Sequence, residues 1–172
     1  MNKYLFLDID GVLNSDAWYH FARTACRNFQ KHKVYIDNPT DDSIRYIHGN
    51  IDDRAVLNLL DIIKQTGCEV VLSSSWRSDK RQENQRIADV ITAKGCPLKF
   101  LDVTPRTLHR HRGLEIAQWL KENEDKYLIE SFCILDDDTD IQDELKGNFV
   151  HIDRKFGLTY IDADNAINIL NS

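Results

Sequence analysis

The sequence predicts an α/β fold: a mostly parallel sheet flanked by helices, with a small insertion after the first strand. Three observations carry this reading. Four short apolar runs recur along the chain, each continuous rather than alternating, as in parallel strands covered on both faces. Amphipathic helical patterns separate them. The 172 residues, 42% hydrophobic and 29% charged, are enough for one domain spanning 1–172 with a real core.

Taken in order, the strand runs are Tyr4 to Ile9, Glu69 to Ser74, Ser131 to Leu135 and Phe149 to Ile152. A fifth run, Leu98 to Val103, is interrupted by Lys99 and flanked by Pro97 and Pro105. Asp52 or Asp53 can cap a helix carrying Val56, Leu59, Leu60 and Ile63 on one face, with Gly67 ending it. A second helix, Lys80 to Lys94, places Ile87, Val90 and Ile91 together and stops at Gly95. A third begins near Gly113 and is expected to bury Leu114, Ile116 or Ala117, and Leu120. The last runs from Asp162, as N-cap, to Leu170. Such alternation implies right-handed crossovers. Residues 15–50 break it: a helix over Asp16 to Lys31 precedes a loop or small hairpin. A long connection of this kind reads as a cap over the end of the first strand.

Composition narrows the class. A net charge of −6 argues against a general nucleic-acid or membrane-surface binder. Cys26, Cys68, Cys96 and Cys133 are scattered, with no CxxC pair and no zinc-like His spacing. No apolar run reaches the roughly 18 residues of a membrane span, and the short apolar start lacks a signal-peptide core. The expectation is a cytoplasmic protein with reduced thiols and no membrane partner.

Four segments carry chemistry. In Leu7-Asp8-Ile9-Asp10-Gly11, two carboxylates leave a buried strand just before a glycine. Ligands of open α/β sheets bind beyond the carboxyl ends of strands, and the glycine permits a sharp turn there. Oxygen ligands so placed suit magnesium. An EF-hand would need Asp or Asn where Val12 stands, and a helix before it. In Ile134-Leu135-Asp136-Asp137-Asp138-Thr139-Asp140, a second strand empties into four carboxylates whose repulsion calls for a cation. In Leu72-Ser73-Ser74-Ser75-Trp76-Arg77, strand-end hydroxyls and free N–H groups can hold a phosphate oxygen, although serines often simply end strands. Arg106, His109, Arg110, His111 and Arg112 form a basic cluster that either neutralises a phosphoryl group or is a solvated loop.

These four segments, in this order, resemble the motifs of the haloacid dehalogenase (HAD) superfamily. DIDGVLN, SSSWR, RGLEIAQWL and ILDDDTD are more closely similar to the HAD phosphatase domains of Swiss Army Knife RNA-repair proteins, distant relatives of polynucleotide kinase-phosphatase. The resemblance implies a Rossmann-like core, Mg2+ as cofactor and an aspartyl-phosphate intermediate. It implies Asp8 as nucleophile and Asp10 as general acid, then base. It also implies Asp136 as metal ligand, with Asp137 and Asp140 as further ligands or their partners, beside Asp8 and Asp10. Ser74, seven residues after Gly67, matches the phosphate-binding serine, with Ser73 as rival. Arg112 matches the basic residue of the third motif, where the family often has Lys; Arg77 and Arg110 are rivals.

The implied substrate is a phosphorylated nucleotide or a nucleic-acid end. The alternatives are a small sugar or metabolite phosphate, or a catalytically silent binding module. Dehalogenases generally lack the second aspartate, so Asp10 argues against that chemistry. Arg23, Arg27, Lys31 and Lys33 in the insertion offer charge for a short strand. Trp18 or Tyr19 either stacks on a base or packs inside the cap. Trp76 and Trp119 are expected in the core, with Trp76 near enough to line the pocket.

Overall fold

A computed structural model describes residues 2–24, 49–107 and 111–172, without the side chains of Arg23 and Thr24. Residues 25–48, and with them most of the expected cap, lie outside these ranges, as do His109 and Arg110. So do Cys26, Arg27, Lys31 and Lys33.

Five strands form one parallel sheet: β1 (Lys3–Leu7), β2 (Glu69–Leu72), β3 (Phe100–Val103), β4 (Ser131–Asp136) and β5 (Phe149–His151). Their spatial order is β3-β2-β1-β4-β5. Chain order therefore reverses beside β1, between β1 and β4, the switch point beyond whose strand ends ligands of open α/β sheets bind. Leu7 pairs with both Leu72 and Leu135, so the carboxyl ends of β1, β2 and β4 reach one level. The interrupted fifth run is a true strand, beginning at Phe100 after the proline. The strands expected to reach Ile9, Ser74 and Ile152 stop at Leu7, Leu72 and His151, releasing the residues that build the site.

The helices are α1 (Asp16–Thr24), α2 (Asp53–Thr66), α3 (Arg81–Ala93), α4 (Arg112–Tyr127) and α5 (Tyr160–Asn171). Side-chain alternation along β1 explains the layering. Leu5 and Leu7 join Leu59, Ile91 and Ala166 from α2, α3 and α5 in the larger core. Tyr4 and Phe6 join Ile116 and Trp119 of α4 in the smaller one. Trp119 stacks on Tyr127 and meets Phe6 edge-on, and its Nε1 donates to Asp102 Oδ2 at 2.9 Å.

Local signals account for the helix ends, with two corrections. Asp52 caps α2, accepting from Arg54 N, and Gly67 ends it in the left-handed region. The N-cap of α5 is Thr159, not Asp162. Asp162 is the third helical residue, and its carboxylate accepts the Thr159 N–H in a capping box. Leu114 is exposed rather than buried, because the phase of α4 is set by Ile116 and Trp119, which point at β1. Among the described residues, no helix is long and apolar enough to cross a membrane.

Candidate active site

Asp8 follows β1 directly, and its N–H still donates to Leu135 O at 3.0 Å, so the backbone is fixed where the carboxylate emerges. The next turn closes tightly: the N–H groups of Val12, Leu13 and Asn14 all point to Ile9 O. Gly11 sits at φ 74°, and a Cβ there would run into the Asp137 side chain. Glycine thus serves both the turn and the close approach of the second acidic loop.

Asp8, Asp136 and Asp137 converge, each offering a carboxylate oxygen within 4.8 Å of the others. Asp8 and Asp136 are buried. Burial drives both pKa values up, that of Asp8 to about 6 and that of Asp136, with Asp8 as like-charged neighbour, to about 8. Arg112 opposes both shifts. Its Nε donates to Asp136 Oδ2 at 2.8 Å, and its Nη2 stands 3.5 Å from Asp8 Oδ1. The Ser74 hydroxyl also favours the charged form of Asp8. Burial raises Asp137 as well, against an ion pair with Arg154 Nη1 at 2.9 Å.

Other expected site residues are placed differently. Asp140 turns to the start of α4, where its Oδ2 accepts Arg112 N at 2.8 Å, and His111 Nδ1 lies 3.5 Å away. The Asp10 carboxylate is outside the acidic trio and accepts from Asn14, Ser75 and Trp76. Ser74 is the serine beside Asp8, whereas Ser73 Oγ accepts from Thr104 Oγ1 at 3.4 Å. Arg77 is buried, and its guanidinium is directed to the carbonyls of Ser74, Thr104 and Pro105 and to Glu115. Arg106 donates to the carbonyls of Ser75 and Arg77.

Sequence reasoning missed three participants. Glu115 is buried, pairs with Arg77 Nη2 at 2.5 Å and accepts Thr107 N. A charged residue on the inward face of α4, three after Arg112, was the available signal. Arg154 and His151 Nε2, the latter 3.0 Å from Asp137 O, come from the segment at the end of β5 and beyond it. Nothing in their local sequence marks them.

The family described as the HAD domain in Swiss Army Knife RNA repair proteins matches residues 4–163, running from β1 into α5. The chain belongs to this family. No curated protein and no solved structure matches it. HAD membership suggests a hydrolase of the phosphatase type, implies a phosphorylated substrate in general, and brings a family that generally uses Mg2+. The residues of this HAD domain fit that ion. Asp8 Oδ1 is buried and receives no hydrogen bond from the described residues. It belongs to a three-carboxylate, all-oxygen cluster, the donor set that a hard divalent cation requires.

Proposed function

We propose that this HAD domain is a magnesium-dependent phosphomonoesterase working through an aspartyl-phosphate on Asp8. The observation that carries the reading is the buried Asp8 carboxylate, whose Oδ1 receives no hydrogen bond from the described residues, held between the Arg112 guanidinium and the Asp136–Asp137 pair. Asp8, Asp136 and Asp137 would hold Mg2+, which when bound supplies charge stabilisation to the phosphoryl oxygens. Asp10 contributes to the site chiefly through proton transfer, and Asp140 by capping the helix that carries Arg112.

The chemistry follows from repulsion. A carboxylate approaching a phosphate dianion needs positive charge nearby, and Arg112 supplies it at Asp8 from a fixed helix start. An Asp8 oxygen forms a bond to phosphorus while the bond to the leaving oxygen breaks, and Asp10 gives that oxygen its proton. In the second half Asp10 takes a proton from water, the water oxygen bonds to phosphorus, and the Asp8–phosphorus bond breaks to release phosphate. Ser74, beside Asp8, donates to a phosphoryl oxygen. Arg77 braces the serine loop from behind, through Ser74 O.

A nucleotide or nucleic-acid terminal phosphate is the substrate class favoured here, because the family is described from RNA repair proteins. Residues 15–50 are read as a cap within the single 1–172 domain. Supporting this, Trp18 Nε1 donates to Gly49 O at 3.2 Å, which joins the two described ends of the insertion.

The test is hydrolysis of an aryl phosphate by the wild type and Asp8→Asn, with Mg2+ and with excess chelator. The expected result is loss of at least about 10³-fold in kcat for the variant and a comparable loss on chelation. A screen of nucleotides, 3′-phosphorylated oligonucleotides and sugar phosphates follows. Turnover of sugar phosphates alone would remove the nucleic-acid reading. Retained activity in Asp8→Asn would remove the nucleophile assignment.

A further inference from the structure

Asp10 is held from two sides. Trp76 Nε1 donates to its Oδ2 at 2.8 Å, and Ser75 Oγ donates to the same oxygen at 3.1 Å. On the other side Asn14 Nδ2 donates to Oδ1 at 2.9 Å, while Asn14 Oδ1 accepts Gly11 N at 2.8 Å. Each carboxylate oxygen has two lone pairs. Oδ2 is filled by Trp76 and Ser75; among the described residues only Asn14 donates to Oδ1, which keeps one pair.

Trp76 is suited to this task. Its ring packs partly buried against the larger core, so the N–H direction is fixed by packing. Its backbone N–H donates to Ser74 Oγ at 3.3 Å, the serine beside Asp8. The next residue, Arg77, is anchored by Glu115 and by the Ser74 and Thr104 carbonyls. The loop after β2 is thus a brace running from the Asp8 side of the site to the Asp10 side. An indole N–H donates only, so Oδ2 facing Trp76 cannot present a proton in that direction.

We propose that Trp76 is a positioning residue for proton transfer. With Ser75 it occupies Oδ2, fixes the Asp10 side chain, and leaves Oδ1 as the oxygen that gives the proton to the leaving group and later takes one from water. This inference rests on the reading of Asp10 as the acid and base.

The experiment measures single-turnover release of the leaving group from two aryl phosphates, with Mg2+ present. Phenyl phosphate has a poor leaving group that needs the proton; 2,4-dinitrophenyl phosphate has a good one that does not. The proteins are the wild type, Trp76→Phe, Ser75→Ala, Asp10→Asn and the Trp76→Phe/Asp10→Asn double variant. Trp76→Phe keeps an aromatic ring and deletes the N–H. It is expected to slow phenyl phosphate by about tenfold and dinitrophenyl phosphate by less than about threefold. Asp10→Asn should show the same asymmetry, larger, and adding Trp76→Phe to it should cost nothing more. Equal slowing of both substrates by Trp76→Phe, or a further loss in the double variant, would show that the ring merely packs and would overturn the proposal. No asymmetry in Asp10→Asn itself would overturn the acid–base reading, and the inference with it. Should Trp76→Phe not fold, Ser75→Ala, which deletes the other donor on Oδ2 at the surface, must show the asymmetry or the proposal fails.

Discussion

Asp136 and Asp8 illustrate what the site costs the fold. Both carboxyls are buried side by side, and both titrate above the ordinary carboxylate range, at about 8 and about 6. The folded chain therefore holds these protons to higher pH than the unfolded chain does. Their contribution to stability is complete below the unfolded value near 4 and is lost as pH rises through about 6 and then about 8. Without a divalent cation, thermal stability is expected to fall between pH 6 and pH 8, and Asp136→Asn to flatten that fall. Each pKa unit corresponds to about 1.4 kcal/mol, so melting curves of both proteins in chelator will resolve it. Parallel curves for the two proteins would refute the assignment of the strain to Asp136. Arg112 softens this strain without removing it, since one guanidinium serves Asp8, Asp136 and, at 3.7 Å, Glu115.

At the scale of elements, the site depends on where each strand stops and how each helix starts. Helix α4 begins at Arg112 because Asp140, from the loop after β4, accepts its N–H. Gly113 leaves room for that loop, since a Cβ there would meet the Asp140 carbonyl and Gln142. Asp140→Ala should cost about 1.5–3 kcal/mol, the usual range for a hydrogen bond to a charged group. It should lower kcat more than it raises KM, because Arg112 loses its anchor while the serine loop stays. Denaturant melts and steady-state kinetics check both parts; unchanged kcat would disconnect the cap from the site.

The strand-end motifs were legible in the sequence because a buried strand emptying into Asp8 or Asp136 is a local pattern. Thr159 is not distinguishable in the sequence from Asp162, an equally good cap by type, and only reciprocal hydrogen bonding tells them apart. Hydrophobicity alone points Leu114 inward, whereas the rotation of α4 is decided by Trp119 against Phe6. Glu115 with Arg77, and Arg154 with Asp137, are pairs separated by 38 and 17 positions. No local spacing rule reports such contacts.

For the whole molecule, the sheet order places β1 between β2 and β4, so two acidic loops and one serine loop meet over a single strand end. Binding of Mg2+ to the folded state alone stabilises by mass action, about 2.7 kcal/mol at a hundredfold excess over Kd. For a domain of this size that corresponds to a rise of about 5–10 °C in Tm. The rise should vanish in a variant carrying both Asp8→Asn and Asp136→Asn. A similar rise in that variant would place the ion elsewhere.

The central claim is that phosphate passes through a covalent bond to Asp8. The most direct measurement is acid quenching of the enzyme during turnover of an aryl phosphate, followed by peptide mapping by mass spectrometry. The account predicts an acyl-phosphate on the peptide containing Asp8, labile to hydroxylamine and absent from Asp8→Asn. Turnover with no trapped phosphate on that peptide, in an enzyme whose second half-reaction has been slowed by Asp10→Asn, would contradict it.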